Sequence, residues 1–166
     1  MTTKEPLYLM GVYPNTIVDG DGIRYAIYLS GCTHHCKKCH NPESWNPRKG
    51  ALLTEQRIET IIAEIKNNPL LDGITFSGGD PFYNPEAFYP VIRKIKEETR
   101  MNIWCYTGYT YEALCQLSET AFKILQYIDV LIDGPFIYEQ YSPFLRFTGS
   151  SNQRILSLKE GKIVNQ

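Results

Sequence analysis

The sequence predicts an α/β protein built on a mainly parallel sheet. Two observations lead there. Short runs of β-branched and aromatic residues alternate with longer amphipathic runs of helical period. The three clustered cysteines, Ser77-Gly-Gly-Asp80, Thr107-Gly108 and Asp133-Gly134 fall just after those short runs, at the strand ends where such sheets place ligands. Length sets the scale. The chain has 166 residues, enough for one domain spanning 1–166 with a real core. It is too short for a closed eight-stranded βα barrel of ~250 residues, so a partial sheet is expected.

The elements follow in order. Residues 24–30, Arg-Tyr-Ala-Ile-Tyr-Leu-Ser, form a short buried strand. A loop over 31–50 carries three cysteines and Trp45. Thr54 opens a helix to about Asn67, in which Ile58, Ile61, Ile62 and Ile65 recur at spacings of three and four. Pro69 ends it. Residues 73–78 are a second strand, and 85–99 a second helix with Phe88, Val91, Ile92 and Ile95 on one face. Residues 102–107 are a third strand. Stretches 111–117 and 121–127 are helical, 128–132 is a fourth strand and 153–158 a last one.

Composition narrows the class. Charged residues make up 21% and the net charge is −1, so no nucleic-acid surface is expected. No run approaches the ~18 apolar residues of a membrane helix, and the first residues lack the pattern of an export signal. A cytoplasmic location is expected. In that reducing setting, clustered cysteines point to metal binding or catalysis rather than disulfides.

Cys32, Cys36 and Cys39 form a CxxxCxxC run. Three readings stay open on spacing. A four-iron cluster held by three thiolates keeps one iron free to bind a small molecule, where such clusters normally take four. A zinc site would add His34, His35 or His40. Cys36-Lys-Lys-Cys-His40 also fits c-type haem attachment, though Cys32 would then be unexplained. Cys105 and Cys115 read as small buried hydrophobes.

Ser77-Gly-Gly-Asp-Pro81 follows a strand. Its glycines let a ligand approach the backbone, with Asp80 facing an ammonium group; a plain strand-ending turn is the alternative. Asp19-Gly-Asp-Gly-Ile-Arg24 reads first as a hairpin turn. The stretch between Asp133 and Arg154 holds Phe136, Tyr138, Tyr141, Phe144 and Phe147. It is either a partner-binding loop or a flap over the core.

Together, the cysteine triplet and Gly78-Gly-Asp-Pro81 resemble the radical S-adenosylmethionine (SAM) superfamily. Asp19-Gly-Asp-Gly-Ile-Arg24 resembles a motif of its glycyl-radical-enzyme activases. Asp133-Gly-Pro-Phe136 and Gly149-Ser-Ser-Asn-Gln-Arg154 look most like the activating proteins of anaerobic ribonucleoside-triphosphate reductase. Lys38 stands where many members carry an aromatic residue, Asp80 where Glu is commoner, and Asp21 where Pro is frequent. The resemblance implies an incomplete βα barrel of the radical SAM type. It implies a [4Fe–4S] cluster on Cys32, Cys36 and Cys39, with SAM on the open iron. Gly78, Gly79 and Asp80 would orient its methionyl amine. Lys38 and His40 would border its adenine, with the cluster ligand Cys39 between them also counted as cofactor-binding, and Thr107 and Asp133 would lie on its ribose side. Reductive cleavage would yield a 5′-deoxyadenosyl radical that takes hydrogen from a glycine of the large reductase subunit. An electron donor such as flavodoxin would supply the electron. No catalytic side chain beyond these ligands is implied. Pyruvate formate-lyase activase and 7-carboxy-7-deazaguanine synthase are the neighbouring alternatives; a structural Cys₃His zinc module is the non-enzymatic one.

Overall fold

The computed structural model describes residues 5–165. Residues 1–4, which open the segment read as lacking an export signal, and residue 166 lie outside it. The protein is α/β. Strands β1 (Tyr8–Thr16), β2 (Arg24–Leu29), β3 (Ala51–Leu52), β4 (Gly73–Gly78), β5 (Asn102–Tyr106), β6 (Val130–Asp133), β7 (Arg154–Lys159) and β8 (Lys162–Asn165) form one sheet. Their order is β3-β1-β2-β4-β5-β6-β7-β8.

The sheet is mixed, which corrects the expectation of a mainly parallel one. The central strands β2, β4, β5 and β6 are parallel, while β1 and β3 on one side and β7 and β8 on the other are antiparallel. Connection length explains the difference. Each step among the central strands spans a helix, and the flanking strands return through turns or loops, which suit antiparallel pairing. The Asp-Gly-Asp-Gly segment does join the antiparallel pair β1 and β2.

Helices α1 (Glu55–Lys66), α2 (Pro85–Thr99), α3 (Tyr111–Leu117) and α4 (Glu119–Ile124) begin at Thr54, Asn84, Thr110 and Ser118. Each of these side chains accepts a hydrogen bond from a first-turn backbone N–H, satisfying a donor that the helix leaves orphaned. Ile58, Ile61, Ile62 and Ile65 of α1, and Phe88, Val91, Ile92 and Ile95 of α2, are buried. They form one core with Tyr25, Ile27 and Leu29 of β2, Ile74 and Phe76 of β4, and Ile103 and Cys105 of β5. Cys115 packs half-buried against that core.

Side chains alternate along a strand, so Arg24, Ala26 and Tyr28 share the opposite face with Thr75, Ser77, Trp104 and Tyr106. Loops cover much of that second face. Phe147 meets Trp104 edge-on at 5.2 Å, and Arg146 pairs with Asp21 at 3.0 Å. Arg24 is 2% exposed. Burial pulls its pKa down to about 10, so it stays charged at neutral pH. No described helix is long and apolar enough to cross a membrane.

Candidate active site

The strand β2 ends at Leu29, and the chain turns at once into the cysteine loop. That loop is folded back on itself. Gly31 N–H donates to Ser44 O at 2.7 Å and Cys32 N–H to Trp45 O. His35 stacks on Trp45 with ring centres 4.4 Å apart. Cys39 N–H closes a turn on Cys36 O at 3.1 Å, and Asn41 N–H points at Cys39 Sγ. His35 and Lys38 adopt left-handed backbone, φ 49° and 61°, an unusual conformation for residues with a Cβ. The result is a short, tightly wound loop that brings Cys32, Cys36 and Cys39 to one cleft.

All five cysteines are free thiols, and the three of the triplet are half-buried. Burial pushes the Cys32 thiol up, opposed by the His34 backbone N–H. Among the described residues no three His, Cys, Asp or Glu side chains converge on a single-ion position. The thiols instead share a cleft of about 240 Å³. Its far wall is Ser77, Gly78, Gly79, Tyr106, Thr107 and Gly108; Phe136, Gly149 and Gln153 close a third side. Burial raises the Tyr106 hydroxyl well above its ordinary range, with Asp19 adding to the shift, so it is a neutral phenol.

The predicted residues divide into two groups. Cys32, Cys36, Cys39, His40, Gly78, Gly79 and Thr107 line the cleft. His40 lies 5.1 Å from the Phe136 ring. Asp80, Asp133 and Lys38 do not line it. Asp80 is 2% exposed, and its carboxylate is turned inward. It accepts from Phe82 N–H at 2.9 Å, Gly108 N–H at 3.0 Å, the Thr107 hydroxyl at 2.9 Å and His34 Nε2 at 2.6 Å. With four protein donors in place it has no face toward a ligand. Asp133 is 1% exposed and is held by Arg154, Nε at 3.0 Å and Nη2 at 2.5 Å, and by Tyr111 N–H at 2.7 Å. Lys38 is exposed and lies 5.6 Å over the Tyr138 ring.

The paired glycines also act differently from expectation. Gly79 N–H and Asp80 N–H are spent on Leu29 O and Gly31 O, both at 2.8 Å, so they are not free to cradle a carboxylate. A Cβ on Gly79 would strike the backbone of Gly31, and one on Gly78 that of Leu29. The glycines let β4's exit pack flush on the cysteine loop and leave a wall of bare backbone.

Phe136, Gly149 and Gln153 are cleft residues that reasoning from sequence did not place there; the only signal was their position in the 133–154 motif stretch. Gln153 staples that stretch closed. Its Oε1 accepts from Gly149 N–H at 2.8 Å and Ser150 N–H at 3.2 Å, and its Nε2 donates to Gly134 O at 3.0 Å. The stretch is thus closed on itself, and Phe147 on Trp104, Arg146 on Asp21 and Glu139 on Lys37 lay it as a flap over the sheet and the cysteine loop.

The donor set fits an iron–sulfur cluster. Three soft thiols from one eight-residue loop face a shared cleft, and the opposite wall carries few side chains. Comparison with known proteins agrees. Residues 18–156 match the family model of a 4Fe-4S single cluster domain. An anaerobic ribonucleoside-triphosphate reductase-activating protein of Haemophilus influenzae is 40% identical over 151 residues, covering 89% of this chain and 96% of the relative. The protein of that name in Vibrio cholerae is 40% identical over 147 residues, 86% and 93% of the two chains. The one in Escherichia coli is 32% identical over 151 residues, 89% and 96%. Identity at this level across nearly the full length of both partners, with the thiol cleft inside the matched region, places this chain in the family of anaerobic ribonucleoside-triphosphate reductase-activating proteins.

Proposed function

We propose that the protein is a radical SAM activase of anaerobic ribonucleoside-triphosphate reductase, working in the cytoplasm on the large glycyl-radical subunit. The observation that carries this reading is the cleft itself: three free thiols opposite the backbone of Gly78, Gly79 and Gly108. Cys32, Cys36 and Cys39 would hold a [4Fe–4S] cluster. Gly78, Gly79 and Thr107 would form the wall for SAM, with His40 and Phe136 at its rim. Bound there, a reduced cluster with SAM would supply the radical chemistry needed to take a hydrogen atom from a glycine Cα of the reductase. The chain's own part is to hold the reacting carbon in line and keep water out. Trp45, Tyr106 and Phe136 serve the second task as apolar walls. The parallel strands flanked by unclosed edges at β3 and β8 support an incomplete barrel of the radical SAM type, with an open side for a glycine loop. A flavodoxin-class donor would supply the electron.

Anaerobic reconstitution with iron and sulfide, then reduction and addition of SAM, tests this. A cluster EPR signal that shifts with SAM, with 5′-deoxyadenosine released, is the expected result. A protein that holds one zinc and releases no nucleoside overturns it. Cys36→Ala is expected to lose both cluster and nucleoside; a full four-iron complement in that variant would remove Cys36 from the ligand set.

A further inference from the structure

We infer that His34 is a positioning residue, docked on Asp80 so that the cysteine loop is held in register with the opposite wall of the cleft. The inference rests on the reading of the cleft as a cluster and SAM site.

His34 lies between Cys32 and Cys36 and lines the cleft with them, and its ring nitrogen is bonded to Asp80 behind the wall. Its Nε2 stands 2.6 Å from Asp80 Oδ2. An ionised carboxylate is acceptor-only, so Nε2 is the protonated nitrogen and donates. The pocket is shaped for an imidazole. The ring lies edge-on to Tyr109 at 4.6 Å, and its side chain is 17% exposed. At Gly108 a Cβ would fall 2.5 Å from His34 Cδ2 and 2.8 Å from Nε2. Gly108 is therefore the space the ring occupies, and its N–H donates to the same Oδ2 at 3.0 Å.

Asp80 thus gathers three loops at one carboxylate. His34 comes from the loop after β2, Phe82 from the segment after β4, and Thr107 and Gly108 from the loop after β5. The cysteine loop contributes one side chain to this cluster, and it is His34. Elsewhere the loop is tied through Gly31 O to Asp80 N–H and through the Lys37 ammonium to Glu139, and its bonds to Ser44 and Trp45 are internal to it. They hold its fold without fixing its distance from Thr107 and Gly108. A buried carboxylate with charge-assisted bonds costs much to leave unsatisfied. His34 therefore locates Cys32 and Cys36 relative to the wall on which SAM would lie.

The test compares His34→Ala, His34→Gln and Asp80→Asn. Gln can return a donor near the Nε2 position. In the apo protein, hydrogen exchange is read at residues 31–40 and 106–110. With His34→Ala, the Gly108 amide is expected to exchange about tenfold faster, as one charge-assisted bond is lost, while α1 and α2 stay protected. In the reconstituted protein, the SAM concentration that half-shifts the EPR signal is expected to rise about tenfold with iron content unchanged. His34→Gln should recover most of both effects. The double variant should be no worse than the worse single, because both remove one interaction. Unchanged exchange at 106–110 with unchanged SAM response overturns the inference. Iron lost in both His34 variants also overturns it and makes His34 a ligand of the cluster. If wild-type protein binds no cluster, the functional reading has failed, and the apo exchange experiment still decides whether His34 and Gly108 are coupled.

Discussion

Replacing Arg24 by Met separates a structural motif from a functional one. Arg24 ends the Asp19-Gly-Asp-Gly-Ile-Arg24 motif but starts β2, beside Gly73 and Asn102 at the starts of β4 and β5. The cleft lies past Leu29, about 16 Å further along the strand at ~3.3 Å per residue. The guanidinium donates to Thr75 Oγ at 2.8 Å, Asp21 O at 2.8 Å, Ile74 O at 3.0 Å, and Asn102 O and Oδ1 at 3.2 and 2.8 Å. It also lies 5.2 Å over the Trp104 ring. The motif's glycines are shaped around this knot: a Cβ on Gly20 would touch Arg24 Cδ at 2.7 Å, and one on Gly22 would press on Asp72.

Methionine keeps the aliphatic length and removes every donor. Water can reach Asp21 and the exposed Asn102 once the guanidinium is gone, and Thr75 still donates to Asp19 O at 2.6 Å. The Ile74 carbonyl lies at a fully buried residue and loses a charged donor, costing about 1–3 kcal/mol. The lost cation–π contact adds about 1 kcal/mol. Relief of the buried charge offsets part of this, leaving a net loss of about 2–3 kcal/mol and a drop in Tm of about 5–10 °C for a chain this size. Circular dichroism on the apo protein measures that drop; iron content and SAM-dependent nucleoside release, read below the new Tm, are expected to stay at wild-type level. A Tm within about 2 °C of wild type, a shift that the ~2–4 °C per kcal/mol scaling makes negligible, combined with lost nucleoside release would refute the structural reading of the motif.

Three further outcomes follow. Gln153→Ala removes three hydrogen bonds at the base of the flap and is expected to cost about 1–2 kcal/mol. Limited proteolysis should then cut within 141–149 sooner; an unchanged cutting rate would mean that the Tyr141–Ser150 backbone bridge and the Asn152 side-chain bond to Pro135 O suffice to hold it. Phe147 sits at φ 68°, a strain of about 1 kcal/mol that glycine would relieve. In urea unfolding Phe147→Gly should therefore be about 1 kcal/mol more stable than Phe147→Ala; equal midpoints would show that no strain is stored. The Arg154 guanidinium, 2.7 Å away, holds the Glu112 carboxyl below its ordinary 4.5. A carboxyl depressed on folding adds stability above its unfolded pKa and loses it as pH falls through the folded one. Glu112 is 62% exposed, so its share is only about 0.3 kcal/mol. The gap between wild type and Glu112→Gln should close as pH drops from 6 toward 3; a gap that widens would reverse the sign.

The legible parts of the fold were those with strong apolar periodicity. α1 and α2 carry isoleucines, Phe88 and Val91 at helical spacing, and β4 and β5 are short apolar runs bounded by turn residues. β1 was invisible because Gly11, Pro14 and Asn15 interrupt it and its far half is mostly exposed. β8 was missed because its turn, Glu160 and Gly161 at φ 52° and 81°, carries Glu where Asn or Asp is the usual hairpin signal. Those omissions are what made the sheet look mainly parallel. In the site, the cysteine loop and the glycines were legible as strand-end neighbours, and they line one cleft. Asp133, expected on the ribose side, lies buried behind the cleft on Arg154, and parity marks that place: it shares a face of β6 with the core residue Leu131, not with Ile132. Asp80 carried only the local mark of an Asp before Pro, which caps the turn at Phe82 N–H; its other partners lie 27, 28 and 46 residues away and come together only in the fold.

That division reflects how this cleft is built. Gly78, Gly79, Gly108, Gly134 and Gly149 all line it, so much of its surface is backbone, and backbone has no side chain of its own to fix its place. Position has to come from behind the wall. Asp80 gathers the loops after β2, β4 and β5. Asp133 with Arg154 ties β6 to β7 and to the start of α3. Gln153 joins Gly134 to Gly149. Each is a polar side chain that bonds two or more separate chain segments, and none of the three needs to touch a ligand to set where one sits. Motif residues of this kind are sensitive to shape as well as charge. Asp80→Glu would add one methylene against a carboxylate already fitted to four donors, so the loops would have to move apart to accept it. The same variant would leave the net charge of the site unchanged, and a weakened SAM response with intact iron would then report displacement of the wall rather than loss of an ionic contact.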